Sequence, residues 1–241
     1  MNTIHHFGDS YGANLYDFNK KNKKKHFVEI IAEHLNYQYK TDCIGGLSNE
    51  QILNVMLMCL NEIKKGDIVF VNFSFFCRGC WYDETNKLVK STNIFYNEIH
   101  QCKIFARAGG DEKILGLLNY YLKDTEDNAR RIFTLINTFF KYFIAIGVNI
   151  FYIYIDGDEF SNSLLSVGNN IKFKKGFGIW LKNNGFHKEE EGHYSEGIQP
   201  AIANAILNKT NNLGKVYNKT YEITIEDIDL NAIVKINKSL V

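Results

Sequence analysis

Thr3-Ile4-His5-His6-Phe7-Gly8-Asp9-Ser10-Tyr11-Gly12 is an apolar run broken by a glycine, then an acid and a hydroxyl. Residues 3–8 read as a strand that gives way to a turn. Gly8 lets the backbone turn sharply there. Asp9 can brace the turn through nearby backbone amides. Ser10 then stands at the mouth of the next segment, where free N–H groups can hold an anion. The same triplet suits an ordinary helix N-cap, because Asp and Ser are favoured caps. The choice depends on what the rest of the chain builds around it.

Outward from this stretch, strand and helix patterns alternate. Phe27, Ile30, Ile31 and Leu35 have helical spacing. Residues 37–43 read as a short strand entering the turn Gly45-Gly46. Ser48 is placed to cap a helix through Ile52, Val55, Met56 and Leu60. Residues 68–73 form a continuous β-type run, as in a strand covered on both faces. Residues 91–125 read as mostly helical. Residues 128–146 form a strong helix that Gly147 ends. Residues 149–155 read as another buried strand, 176–181 enter a short helix, and 195–207 form a final helix whose first turns Pro200 disturbs.

This order predicts an α/β fold, a three-layer α/β/α sandwich around a mainly parallel, flavodoxin-like sheet. In such sheets ligands bind outside the carboxyl ends of the strands. Gly8-Asp9-Ser10, Gly45-Gly46, Ser74 and Asp156 all fall at such ends. Residues 209–241 break the alternation. Residues 217–225 and 232–236 read as two short strands, so the domain is expected to span 1–208. The remainder is expected to add a hairpin, or an arm that joins a homo-oligomer or larger assembly.

Composition narrows the function classes. A length of 241 residues favours one large domain, and 45% apolar residues supply its core. A net charge of +1 offers no global field for nucleic acid or an anionic membrane. The basic run over residues 20–25 reads as a solvated loop or the first turn of a helix. No stretch approaches the ~18 apolar residues of a membrane span. With no leader visible, the expected location is cytoplasmic, with a virion-associated or non-classically exported protein as the alternative. The five cysteines, an odd number, suit reduced thiols. Cys77 and Cys80 form a lone CxxC without the second ligand pair that zinc needs, so no metal is expected. No GxGxxG follows the first strand and no Walker A is present, which argues against a Rossmann-type nucleotide binder.

Nucleophilic chemistry at Ser10 needs a base. His5 and His6 alternate across the first strand, and neither is expected to turn toward Ser10. His26, His34 and His100 have no partner pattern. His193 lies before the final helix, in Glu189-Glu190-Glu191-Gly192-His193-Tyr194-Ser195, with carboxylates two and three residues earlier.

Phe7-Gly8-Asp9-Ser10 paired with Gly192-His193-Tyr194-Ser195-Glu196-Gly197 resembles the SGNH/GDSL hydrolases, over roughly residues 2–208. Tyr194 stands where that family usually has proline. The resemblance implies a serine esterase without a cofactor. It makes Ser10 the nucleophile, His193 the base and Glu190 its orienter, with Glu191 as the alternative. The N–H groups of Ser10 and Gly46 would form the oxyanion hole, with Asp9, Asn49 and Arg78 lining the substrate site. The third block departs from the family. After the strand, Val71-Asn72-Phe73-Ser74-Phe75-Phe76-Cys77-Arg78 carries Phe76 where an oxyanion-binding Asn is usual. Ser74…Arg78 resembles a subgroup variant, and Ser74, Asn72 or Arg78 would supply the missing donor. The implied substrates are small esters or acylated, above all acetylated, carbohydrates. The aromatics Trp81, Tyr82 and Trp180 suit either stacking on sugar rings or plain packing. The missing Asn keeps a second expectation open, a catalytically weakened binding or structural module. Such a module would bind glycan or belong to a larger assembly such as a phage particle.

Overall fold

The structure is a computed structural model. It describes residues 1–8, 25–43, 47–74, 78–83, 88–93, 125–154, 164–174, 180–181, 183–186, 196–215 and 217–229.

Among the described residues, six strands form one parallel sheet. They are β1 (Thr3–Gly8), β2 (Gln38–Cys43), β3 (Ile68–Phe73), β6 (Asn149–Tyr154), β7 (Asn169–Phe173) and β8 (Thr220–Ile223), in the order β2-β1-β3-β6-β7-β8. Every pair in this sheet is parallel. β1, β3 and β6 are buried along their whole length. That burial explains why apolar residues dominate β3 and β6, because a parallel sheet needs cover on both faces.

Among the described residues the cover comes from four helices. On one face lie α1 (Phe27–His34) and α4 (Gln199–Lys209), packed on Ile4, Phe70, Phe151 and Ile171. On the other lie α2 (Asn49–Met58) and α3 (Thr125–Ala145), packed on Phe7, Val69, Val71 and Ile150. The three-layer architecture inferred from the alternating pattern is the one observed.

Local chemistry sets the helix ends. His26 caps α1, its Nδ1 accepting from the Val28 N–H. Ser48 and Gln51 form a reciprocal capping box at α2. Gly147 stops α3 at φ +87°, and the Val148 N–H reaches back to the Phe143 carbonyl. Pro200 sits in the first turn of α4 and does not disturb it, because the first helical N–H groups have no intrahelical partner to lose.

Three regions differ from the reading of the sequence. Residues 91–93 are not helical. They belong to β5 (Leu88–Asn93), which pairs antiparallel with β4 (Arg78–Asp83) in a separate two-stranded ribbon just after β3. Residues 94–124 lie outside the described residues. β7 carries no strong strand signal, since Asn169 and Asn170 are poor strand formers. It forms because β6 and β8 pair with it on either side. Finally, the sheet takes in the first of the two strands expected beyond residue 208. β8 lies parallel to β7 at the edge, whereas 232–236 fall outside the described residues.

Candidate active site at the carboxyl edge of the sheet

The chain runs from β1 to β2 on one side and then to β3 on the other side of β1. The strand order therefore reverses between β1 and β3. Such a switch point opens a crevice at the carboxyl ends of its two strands.

Gly8 closes the floor of that crevice. It pairs with Asn72, and a Cβ at this position would meet the Asn72 carbonyl oxygen at 2.8 Å and the Asn72 Cβ at 2.9 Å. The turn expected at Gly8 is thus not what demands glycine, since Gly8 is the last paired residue of β1. Close approach of two backbones demands it.

Below Gly8 lies a buried polar layer. His6 is fully buried. Its Nε2 lies 3.2 Å from Asn72 Oδ1 and its Nδ1 2.9 Å from the Tyr39 hydroxyl. An amide oxygen only accepts, so Nε2 carries the proton and Nδ1 accepts from the Tyr39 O–H. The His6 ring packs 4.9 Å from that of His26 and edge-on to Phe70. Burial pushes the His6 pKa down to about 3, with the Asn72 hydrogen bond opposing. Burial also pushes Tyr39 well up. His6 therefore stays neutral and braces β1, β2 and β3 against α1. Both of its ring nitrogens are engaged, by Asn72 and Tyr39. His5 points to the other face and meets Asp67 Oδ2 at 3.3 Å. Its pKa is lowered by burial, with Asp67 opposing.

At the end of β3, Asn49 and Ser74 hold each other. The Ser74 N–H donates to Asn49 Oδ1 at 2.8 Å, and Asn49 Nδ2 donates to the Ser74 carbonyl at 3.0 Å. Asn49 was expected to line a substrate site. Its carboxamide instead binds backbone, and it is buried. Ser74 is also buried, and its hydroxyl has no hydrogen-bond partner among the described residues. Asn72, the other donor candidate, directs its amide oxygen at His6.

Trp180 packs 6.0 Å from Phe186 and against the α1–α4 face. That is the packing alternative for this residue. Asp9, Ser10, Gly46, Glu190, Glu191, His193 and the side chains of Arg78, Trp81 and Tyr82 lie outside the described residues. Their flanks do not. Residues 9–24 leave from Gly8 and rejoin before His26, the α1 cap. Residues 44–46 join Cys43 of β2 to Ser48, the α2 cap. Residues 75–77 follow Ser74, and 187–195 lead into the 3₁₀ turn Glu196–Ile198 and then α4. α4 is tied to the start of α1, since Gln199 Oε1 accepts from the Phe27 N–H at 3.0 Å. The described flanks Gly8, Cys43, Ser48 and Ser74 stand at the carboxyl edge of the sheet, and Gln199 joins the start of α4 to the start of α1.

Two contributors escaped the reading of the sequence, namely Tyr39 and the bracing role of His6. Strand alternation places each on a face, but no local signal pairs them across 33 residues. Among the described residues no cluster of side chains could hold a metal, and no helix is long and apolar enough to cross a membrane.

No protein-family model and no curated protein matches this sequence. Among solved structures, the chain is similar to protein YxiM from Bacillus subtilis, at 12% identity and a TM-score of 0.52 over 89% of this chain and 57% of that one. It is also similar to the psychrotrophic esterase EstA from Pseudoalteromonas sp., solved inhibited by monoethylphosphonate, at 11% identity and a TM-score of 0.42 over 88% of this chain and 98% of that one. The likeness to YxiM shows the fold, and this chain spans little more than half of that protein's length.

Proposed function

We propose that this chain is an SGNH-type serine esterase that hydrolyses acyl esters, with acetyl groups on carbohydrate as its substrate class. One observation carries the reading. The described residues next to the segments bearing Ser10, Gly46 and His193 support it: Gly8 and Cys43 end β1 and β2 at the carboxyl edge of the sheet, as Phe73 ends β3, and Gln199 at the start of α4 is bonded to the start of α1. This is the edge where this class of sheet binds its ligands, and Ser10 and His193 stand 183 residues apart in the sequence.

In this mechanism Ser10 Oγ attacks the ester carbonyl carbon while His193 takes the hydroxyl proton. Glu190 holds the imidazole in the right tautomer, and Glu191 is the alternative for that role. The carbonyl π pair moves to oxygen, and the N–H groups of Ser10 and Gly46 stabilise the oxyanion. Collapse expels the alkoxide, which takes the proton from His193 and leaves an acyl-Ser10. Water, deprotonated by His193, then releases the acid and restores Ser10. The fold supports this chemistry by tight β1–β3 packing at Gly8, which gives the chain a rigid point of departure two residues before Ser10.

The test is labelling by a fluorophosphonate, which phosphonylates an activated serine. Wild type is expected to label and Ser10→Ala not to. A folded wild type that does not label would leave the binding-module reading in its place.

A further inference from the structure

The geometry points to a further ligand site on this chain, a polar cavity beside β6, β7 and β8 that takes one uncharged sugar ring. The site goes beyond the esterase reading and does not depend on it. The cavity has a volume of about 160 Å³ and lies at the amino ends of β7 and β8. The segment bearing Ser10 leaves from the carboxyl end of β1.

The starting point is a row of three polar residues. Tyr152, Asn170 and Thr220 are register partners on three neighbouring strands, and all three line the cavity. Ile171, Tyr221 and Ile223 pack under α1 and α4, so alternation turns Asn170 and Thr220 to the other face. On that face the apolar cluster beneath α2 and α3 takes in residues of β1, β3 and β6 but, among the described residues, none of β7 or β8. The sheet thus carries a polar shelf where this apolar cover stops. Neighbouring strands lie ~4.8 Å apart, so the row offers a hydroxyl, a carboxamide and a hydroxyl at intervals comparable to those between hydroxyl groups across a sugar ring.

The walls are held by bonds of their own. Asn137, on α3, donates from Nδ2 to the Leu164 carbonyl and accepts at Oδ1 from the Ser166 N–H, which fixes the segment before β7. Asn218 Oδ1 accepts from the Gly168 N–H at 3.1 Å, so the NH₂ end of that carboxamide is the end left for a ligand. Gly168 sits at φ +93°, and a Cβ there would stand 3.2 Å from Tyr152 Cε1, so glycine lets this wall close on the tyrosine ring. Tyr152 is 4% exposed, and burial pushes its pKa well up, so its hydroxyl is a neutral donor.

The lining also selects the ligand. Its one charged residue is Lys219, whose ammonium lies 4.9 Å from the centre of the Tyr221 ring. An ion would find no other countercharge, and an apolar ligand would strip the polar groups of water without replacing its hydrogen bonds. A ligand with several hydroxyl groups replaces those bonds. The volume equals that of about five waters in the liquid, which suits one ring. Sites for drug-sized ligands start at about 300 Å³.

The experiment is an amide-detected NMR titration of the full chain with D-glucose, D-galactose and N-acetyl-D-glucosamine. At least one of them is expected to bind saturably, with a Kd on the order of 1 mM, and to move the amide signals of Gly168, Asn170 and Thr220. Thr220→Val, at an exposed position, and Tyr152→Phe each remove one hydroxyl and keep the side-chain shape. Each should weaken binding about fivefold, the usual loss of one hydrogen bond. If Tyr152→Phe does not fold, Thr220→Val carries the test. Ser10→Ala should leave the Kd unchanged, and indole, an apolar ring, should not move these signals. No saturable shift with any of the three sugars up to about 50 mM leaves the cavity to water and overturns the proposal. Saturable binding that Thr220→Val does not weaken, or that Ser10→Ala abolishes, places the sugar elsewhere and overturns it as well. So does indole binding at these amides as tightly as the sugars. Failure to label with fluorophosphonate bears on the esterase reading alone, because this titration does not require an activated serine.

Discussion

At the amino end of β3, Asp67 is saturated, whereas at its carboxyl end Ser74 is not. Asp67 Oδ1 accepts from the Thr3 N–H at 2.8 Å, and Oδ2 accepts from the Lys64 N–H at 2.9 Å and faces His5 at 3.3 Å. Ser74 has both backbone groups satisfied by Asn49, yet its hydroxyl is unpaired. Both residues are buried on one short strand, so burial alone does not distinguish them. The amino end uses its polar atoms to fasten β1 onto β3. The carboxyl end withholds one from the fold, at a cost in stability. A group kept out of folding is available to a ligand.

The largest expected effect is acid destabilisation through the layer beneath the carboxyl end. His6 has a folded-state pKa of about 3 against 6.5 unfolded. Between those values the unfolded chain binds the proton and the folded chain does not. The contribution is therefore complete above pH 6.5 and is lost as pH falls toward 3, by about 4 kcal/mol. Urea unfolding at pH 7 and pH 4.5 measures it. His6→Gln should narrow the gap between the two curves by about 2–3 kcal/mol. An unchanged gap would mean that His6 titrates normally and does not brace the sheet.

Next in size is Asp67→Ala. It strips the Thr3 and Lys64 N–H groups and His5 of their acceptor, for a loss of about 3 kcal/mol. Because this is the fastening end, kcat on p-nitrophenyl acetate should be unchanged in the folded fraction. A fall in kcat would break the contrast between the ends.

Gly8→Ala sharpens the contrast from the other side. Its Cβ would stand 2.8 Å from the Asn72 carbonyl oxygen, so β1 and β3 must separate. The expected cost is about 2 kcal/mol, a typical overpacking penalty. Fluorophosphonate labelling of Ser10 should slow far more than this loss of stability implies. Labelling at the wild-type rate would show that the nucleophile does not depend on this packing.

The smallest effect has the opposite sign. The Tyr154 hydroxyl, at the carboxyl end of β6, is also buried without a partner among the described residues, while its ring stacks 5.3 Å from Phe73. Tyr154→Phe keeps the ring and removes the unpaired group, so the urea midpoint should rise by the equivalent of about 1 kcal/mol. A lower midpoint would mean that the hydroxyl is satisfied in solution.

Local patterns were enough for much of the fold. β3 and β6 announce themselves as mostly apolar β-type runs, β1 as a short strand ahead of Gly8, and α1 and α3 by helical spacing. Ser48 with Gln51 three residues on marks the start of α2. β7 was not legible, because two asparagines conceal a strand whose stability comes from neighbours on both sides. In the site, Gly8 stood out as a glycine, but for the wrong reason. A turn can be read from adjacent residues, whereas contact with Asn72 depends on a strand 64 residues away. Asn49 was legible only as a polar residue near a helix start.

The sequence by itself determined the α/β class, the Ser48 cap and the chain order of the candidate motifs, because periodicity and turn chemistry act over a few neighbouring residues. Only the tertiary structure decided that β1 lies between β2 and β3, that His6 locks onto Tyr39 and Asn72, and that Asn49 stands in for a strand beside Ser74. These contacts depend on which distant backbone atoms are left without partners once the sheet has closed. No local pattern in the chain encodes that accounting.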